Sequence, residues 1–313
     1  MGENKINNTT ENTEKLLDCA RELECHVKYD EPLSAHTSFK IGGPCTAMVD
    51  ISSEESLTKL VKAAKQYNVR TMVLGKGSNL LFDDRGFKGV ILLMGSSMDD
   101  ISMADETSVR VQAGCSLVKL CRFALEHSLS GMEFAYGIPG SVGGAVYMNA
   151  GAYDGEIKGV IQSCKSVTPD GIIRVRMASK LGLEYRTSCF QNNNEIITEA
   201  VFKLEHGNYD DIQDKMVELM GRRREKQPLE FGSAGSTFKR PEGQFAGKLI
   251  QDCGLKGYTV GGAQVSEKHS GFVINMGNAT GEDVRKVISH VQKIVKEKTG
   301  YFLECEVKCI PYE

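Results

Sequence analysis

Seventeen consecutive residues, Gly137–Tyr153 (GIPGSVGGAVYMNAGAY), constrain this chain more than any other stretch. Five of them are glycine, where average usage of about 7% gives roughly one. Backbone without side chains can approach a ligand closely and can take up positive φ. Pro139 fixes a turn inside the run. Ile138, Val142, Ala145, Val146, Tyr147 and Met148 separate it from a polar, flexible linker. The stretch reads as a buried, shaped loop that wraps a phosphate-bearing ligand with backbone amides. The alternative is a tight packing loop with no ligand.

The bulk numbers narrow the class. A chain of 313 residues affords two or three domains and a sizeable core. Apolar residues at 41% and charged residues at 25% describe a globular protein. A formal net charge of −3 offers no basic face for nucleic acid. No apolar run approaches the roughly 18 residues of a membrane span. The polar N-terminus lacks the basic-then-apolar pattern of a signal peptide, so a cytoplasmic location is expected. Ten cysteines are scattered without C-x-x-C or zinc spacing, which predicts free thiols and no metal site.

Residues 30–110 alternate strand-like and helix-like stretches. AMVDI (47–51) alternates apolar and polar, and Ser52 or Ser53 can cap a helix carrying Leu57, Leu60, Val61 and Ala64. TMVLG (71–75), VILLM (90–94) and SVRVQA (108–113) read as strands. After the first of these comes Gly75-Lys76-Gly77-Ser78-Asn79-Leu80. It begins like a dinucleotide fingerprint, but Leu80 stands at the third glycine, so a standard Rossmann site is excluded. The remaining possibilities are a nest of amides for phosphate or a simple turn. TSFKIGGP (37–44) is a similar candidate.

Ser116 can cap a helix with Leu117, Leu120, Cys121, Ala124 and Leu125 inward. CKSVTPDGIIRV (164–175) reads as a hairpin, and IITEAVFKL (196–204) as a strand. A helix with Ile212, Met216, Leu219 and Met220 on one face ends in RRREK (222–226), where cations suit the helix dipole in solvent. GQFAGKL (243–249) is not a P-loop, because its first glycine is misplaced and Leu249 replaces the Mg²⁺-binding hydroxyl. A last helix is expected over 282–298, capped by Thr280 and Asp283 and stopped by Gly300. In the closing YFLECEVKCI, strict alternation puts Leu303, Cys305, Val307 and Cys309 on one face and Glu304, Glu306 and Lys308 on the other.

Seven of these segments, in this order, resemble the UDP-N-acetylenolpyruvylglucosamine reductase family over roughly residues 25–313. They are TSFKIGGP, GKGSNLLF, GIPGSVGGAVYMNAGAY, YRTSCF, AGSTFKRP, AGKLIQDCGLKG and LECEV. The resemblance implies an α+β chain: a two-subdomain FAD-binding fold of the vanillyl-alcohol-oxidase type, then an α+β substrate-binding domain. The expected division is a disordered lead-in over 1–15, FAD subdomains over 16–95 and 96–207, and a substrate domain over 208–300. The C-terminal strand, 301–313, is expected to join the second FAD subdomain.

The resemblance further implies a monomeric enzyme of peptidoglycan precursor synthesis. It uses non-covalent FAD and takes NADPH as co-substrate. Reduced flavin passes hydride to the β-carbon of the enolpyruvyl ether of a UDP-sugar, and a proton is delivered to the α-carbon. By match to the family motifs, Ser236 is the proton donor, Arg186 faces the substrate carboxylate, and Glu306 assists protonation. Glu304 points the same way as Glu306, and only the motif match chooses between them. Gly75, Gly77, Ser78, Asn79 and Leu80 line one side of the FAD pyrophosphate. Gly137, Ile138, Pro139, Gly140, Ser141, Gly143, Gly144, Gly151, Ala152 and Tyr153 line the other. Tyr185, Arg222, Lys226, Arg240 and Lys256 are expected to hold the UDP-sugar, which gives part of RRREK a second role. Two departures stand out. Arg240 replaces an asparagine common in the family, and the interval from Tyr153 to Tyr185 is too short for the substrate-capping loop of longer members. A flavin oxidase on the same fold and a non-catalytic flavin or nucleotide-sugar binder are the competing readings.

Overall fold

Two compact units emerge from local rules that the sequence carries. The computed structural model describes residues 2–313, with side chains from Thr10 onward. Of the described residues, one unit comprises 2–30, 46–76 and 89–221, and the other comprises 31–45, 77–88 and 222–313. No described helix is long and apolar enough to cross a membrane.

In the first unit, helix α1 (Gly2–Glu22) buries Leu16, Leu17 and Ala20 completely, with Thr13 nearly so. Residues 1–15, expected to be a disordered lead-in, therefore include a packed part of α1, because Leu16 and Leu17 anchor its second half. Helix α2 (Glu54–Gln66) starts at Ser53, whose hydroxyl accepts from the Ser56 amide while Ser56 returns the bond. Its Leu57, Leu60, Val61 and Ala64 join the same core as α1. They lie by a sheet ordered His26–Tyr29, Cys45–Asp50, Phe87–Leu93, Thr71–Leu74. The last pair is parallel, with Thr71 opposite Val90.

Helix α3 (Leu117–Glu126) is capped by Ser116, and the short α4 (Val142–Met148) by Ser141. The single turn α5 (Phe190–Asn193) follows, then α6 (Tyr209–Lys226). A five-stranded antiparallel sheet runs Ile173–Met177, Ile161–Val167, Ile196–Lys203, Ser108–Gln112, Ile101–Met103. The first two strands form the hairpin expected at Pro169-Asp170-Gly171, and the Thr168 amide closes it on the Ile172 carbonyl at 2.9 Å.

In the second unit, α7 (Ala246–Asp252) and α8 (Gly281–Thr299) pack on a four-stranded antiparallel sheet ordered Gly232–Ser233, Val273–Asn275, Ala263–Val265, Thr259–Val260. Thr280 and Asp283 form the expected capping box, and Gly300 ends α8 at φ 79°. Asp84 adds a second cap from afar: its carboxylate accepts from the Gly281 and Glu282 amides.

The closing strand departs from expectation. Lys308–Ile310 pairs in parallel with Leu80–Phe82, so it belongs with this unit and not with the 96–207 sheet. Its alternation also breaks, for Leu303 and Val307 are buried but Cys305 is half-buried and Cys309 exposed. A bend at Val307 separates the stretch that pairs with Phe238 from the stretch that pairs with Leu80–Phe82.

Beneath α7, His269 is largely enclosed. Its Nδ1 accepts from the Gly271 amide at 3.1 Å, and its ring meets Phe272 edge-on at 4.9 Å. An accepting Nδ1 carries no proton, and burial disfavours the imidazolium, so the pKa lies below the ordinary 6.5. Above that value the group adds no pH dependence. As pH falls below it, the unfolded chain takes up the proton first and stability declines until the folded pKa is passed. His269→Gln is expected to flatten this part of the loss as pH falls below 6.5. Urea unfolding of both proteins across that window checks it, and identical slopes would remove His269 as the source.

Candidate functional site

The glycine run is not a continuous loop. Gly137, at φ 89°, turns the chain into Pro139 and Gly140, after which Ser141 starts α4 by accepting from the Gly144 amide at 3.3 Å. Gly143 lies so close to the preceding strand that a Cβ there would stand 2.9 Å from the Ala113 Cβ. Its amide donates to the Ala113 carbonyl at 2.9 Å. A Cβ on Gly75 would collide with the Ser141 hydroxyl. The end of the strand Thr71–Leu74 and the start of α4 therefore touch within the first unit. Pro139 and Gly144 remain exposed there.

Helix α4 stops at Asn149, which is left-handed at φ 41° and wholly buried. Its amide nitrogen donates to Glu156 Oε2 and to the Glu184 carbonyl, each at 3.0 Å, and its Oδ1 accepts from the Lys158 amide at 2.9 Å. Next, Gly151–Ala152 and Gly155–Glu156 form a hairpin whose two loop residues, Tyr153 and Asp154, have φ of 51° and 67°. This is the backbone of a type I′ turn, made here without glycine at its centre.

The Tyr185–Cys189 segment is stitched to this element. Ser188 Oγ donates to the Tyr147 carbonyl at 2.7 Å, and Gln191 Nε2 donates to the carbonyls of Tyr147 and Arg186. Arg186 is itself left-handed at φ 54°, and its Nη2 donates to the Gly151 carbonyl at 3.3 Å. Its guanidinium lies 5.0 Å from the centre of the exposed Tyr185 ring. Arg186 and the Gly151 end of the glycine run thus share one patch. Sequence reasoning missed Asn149, Ser188 and Gln191, because a side chain that serves distant backbone leaves no periodic signature.

In the second unit, the two proposed acid-handling residues share one ladder. Phe238 pairs with Cys305, the Glu306 amide donates to the Thr237 carbonyl at 2.8 Å, and the Lys239 amide donates to the Glu304 carbonyl at 2.8 Å. Ser236 is the exposed residue next to Thr237, and Glu306 is half-buried. Thr237, missed from sequence, is pinned twice more: its amide donates to the Gly271 carbonyl, and its hydroxyl accepts from the Val273 amide. Glu304 is exposed and ion-paired to Lys239, so the ladder gives the two glutamates different surroundings.

Asn79, expected at the FAD, spends its side-chain amide on the Glu306 carbonyl at 3.2 Å, and its carbonyl accepts from the Lys308 amide. Leu80 belongs to the strand paired with Lys308–Ile310, while Gly77 (φ 58°) and Ser78 precede it. The TSFKIGGP segment is a poorer nest than its glycines suggest, since the amides of Ser38, Lys40 and Gly43 already serve the carbonyls of Gly77, Thr37 and Asp83.

Of the basic residues, Arg222 and Lys226 are exposed one turn apart on α6, but Arg223 between them is buried, its Nη1 donating to Gln227 Oε1. RRREK is therefore not a uniformly solvated helix end. Arg240 covers the ring of exposed Phe245 at 4.6 Å, and Lys256 is exposed.

Comparison with known proteins brings these parts under one heading. Residues 45–176 match the FAD binding domain family, and residues 227–310 match the C-terminal domain family of UDP-N-acetylenolpyruvoylglucosamine reductase. A curated protein of that name from Clostridium perfringens is 48% identical over 284 residues, covering 91% of this chain and 93% of its own. The Lachnoclostridium phytofermentans protein is 49% identical, with 91% and 93% covered. Caldanaerobacter subterraneus supplies one at 45%, with 95% and 98% covered. The crystal structure of the Thermus caldophilus reductase superposes with a TM-score of 0.79 at 33% identity, covering 92% of this chain and all of that one. The α+β architecture and FAD as cofactor follow from these matches. The residues fit such a group: glycine at position 75 lets the end of the strand Thr71–Leu74 lie directly against the Ser141 side chain at the start of α4, so two glycine-rich segments of the first unit meet in close contact.

Asn149 is the residue on which this geometry turns. Asn149→Ala leaves the Glu184 carbonyl and the Lys158 amide without their partner, each loss costing about 1–3 kcal/mol when buried. Alanine also tolerates the left-handed conformation less well than asparagine. A destabilisation of about 2–5 kcal/mol is expected in chemical denaturation, and a change under about 0.5 kcal/mol would show that water replaces the amide.

Proposed function

The chain belongs to the UDP-N-acetylenolpyruvoylglucosamine reductase family, and on that premise we propose that it reduces the enolpyruvyl ether of UDP-N-acetylglucosamine enolpyruvate to UDP-N-acetylmuramate with NADPH. The observation that carries the assignment of roles is the ladder that holds Glu306 against Thr237, one residue from Ser236. FAD, when bound, carries the hydride from the nicotinamide to the β-carbon of the enol ether.

Ser236 Oγ holds the proton destined for the α-carbon. A serine hydroxyl is a weak acid, so its position must be fixed and its conjugate base supported. The three backbone and side-chain bonds of Thr237 supply the first requirement. Glu306, at the neighbouring rung, supplies the second by exchanging or sharing that proton. Glu304 is exposed and ion-paired to Lys239, whereas Glu306 is half-buried at the rung of Thr237, which favours Glu306 for this role.

Arg186 orients the substrate carboxylate, whose charge grows as hydride arrives at the β-carbon and the α-carbon becomes enolate-like. A planar guanidinium fork suits that anion. Its strained backbone and its bond to the Gly151 carbonyl set the fork's direction before substrate arrives. Arg222 and Lys226, exposed on one face of α6, are suited to the UDP diphosphate, and Tyr185, Arg240 and Lys256 offer exposed contacts to the rest of the substrate.

Stopped-flow absorbance of the flavin separates the two half-reactions. With Ser236→Ala, NADPH is expected to bleach the flavin at the wild-type rate, while reoxidation by the UDP-sugar slows about 10²–10⁴-fold. Arg186→Lys is expected to slow the same half-reaction through loss of the fork. Unchanged reoxidation in Ser236→Ala would displace Ser236 as the donor.

A further inference from the structure

The segment that carries Ser236 runs on past its ladder into a tight turn. Lys239 is held by the ladder through its amide on the Glu304 carbonyl. Beyond it, the Gln244 amide donates to the Pro241 carbonyl at 3.2 Å, with Gly243 at φ 69° inside the closed loop. A positive-φ glycine in the third place of such a loop fits a type II turn. Folding back over Pro241–Gln244 sets the flanking residues, Arg240 and Phe245, against each other. The Arg240 guanidinium carbon lies over the Phe245 ring, 4.6 Å from its centre.

Phe245 is not a core residue. It is 58% exposed, whereas Ala246, Leu249 and Ile250 just after it are buried. It occupies the N-cap of α7, where Ser, Thr, Asp or Asn would bond a helix amide, and its side chain makes no cap bond. Its backbone is nevertheless fixed, because its carbonyl accepts from the Leu249 amide at 3.1 Å. A large apolar ring on an exposed cap serves neither burial nor capping. What the ring does serve is the guanidinium above it.

A guanidinium stacked on a ring keeps its N–H donors around its rim, directed sideways. Stacking also narrows the rotamers of a long exposed side chain, which lowers the cost of ordering it when a ligand binds. Arg240 is four residues from Ser236, so at most about 14 Å of backbone separates them. In a substrate whose enolpyruvyl group meets Ser236, the nucleotide lies on the far side of the sugar. We propose that Phe245 is a positioning residue for the UDP-sugar: its ring holds Arg240 ready to donate to oxygen atoms of the nucleotide half. The ligand rests on the function proposed above; the stack of ring and guanidinium does not.

Two measurements on the holoenzyme test this: steady-state kinetics with NADPH and the UDP-sugar, and calorimetric titration with UDP. Phe245→Ser removes the ring and gives α7 a capping hydroxyl. KM for the UDP-sugar and Kd for UDP are each expected to rise about two- to fivefold. Loss of binding alone leaves kcat and the KM for NADPH unchanged, and the added cap leaves the thermal midpoint equal or higher. Phe245→Tyr, which keeps the ring face, is expected to retain the wild-type constants. Arg240→Gln is expected to raise KM and Kd at least as far, and Phe245→Ser then adds nothing, because it acts through the arginine. A full further rise in the double variant would overturn the positioning role, as would unchanged KM and Kd in Phe245→Ser. A rise accompanied by a lower thermal midpoint would make Phe245 a structural residue and defeat the proposal too. If KM rises while Kd for UDP stays constant, or if the wild type binds no UDP, the nucleotide assignment is wrong. Wild-type enzyme that binds UDP but shows no NADPH oxidation dependent on the UDP-sugar would instead overturn the proposed function, and the UDP titrations would still decide the role of Phe245.

Discussion

Four residues other than glycine hold left-handed backbone in one small patch of the first unit: Asn149, Tyr153, Asp154 and Arg186. Each costs on the order of 1 kcal/mol or more relative to a relaxed conformation. Such strain persists only where surroundings over-determine it, and here the over-determining element is the buried Asn149 amide. It closes α4, ties the following hairpin through Glu156, and holds the Glu184 carbonyl at the threshold of Tyr185 and Arg186. Ser188 and Gln191 bind the far side of the same segment to Tyr147. Remove the amide and the glycine run and the arginine are no longer positioned by the same element.

The second unit reaches rigidity by another route. No left-handed strain holds Glu306 or Ser236; a short ladder does, and its backbone bonds are braced from outside by Asn79 and Thr237. On the roles proposed for Ser236 and Glu306, a bonded ladder suits proton delivery over a fixed distance, since misplacement of about 1 Å can cost about 10² in rate. On the role proposed for Arg186, a strained turn suits a guanidinium that presents its fork in one direction. The two kinds of support match the two kinds of work proposed.

Helices with local start and stop signals were legible in the sequence. Ser53, Ser116, Thr280 with Asp283, and Gly300 all act where local capping chemistry predicts, because a cap is satisfied within one turn. The hairpin at Pro169-Asp170-Gly171 and the inward face of α6 were legible for the same reason. What escaped depends on partners far along the chain. Asp84 caps α8 across nearly two hundred positions, and Arg223 is buried in a run whose composition reads as solvated. The closing strand shows the limit of periodicity itself. Leu303 and Val307 keep the expected inward face and Cys305 does so only in part, but a change of pairing partner bends the chain, and Cys309 is then exposed.

The glycine run began with two alternatives, a ligand loop and a packing loop, and the physics makes them one. Gly143 is glycine because Ala113 occupies the space of a side chain, and Gly75 because Ser141 does. Those are packing reasons. Yet the close approach they permit is what sets the end of one strand beside the start of α4, with only the small Ser141 side chain against Gly75. A larger residue at either place would push the segments apart by at least a methyl radius. Enrichment in glycine therefore reports neither a ligand nor a tight fold by itself. On the proposed reading it marks a place where the tightness of the fold lets backbone, in place of a cluster of basic side chains, face a pyrophosphate.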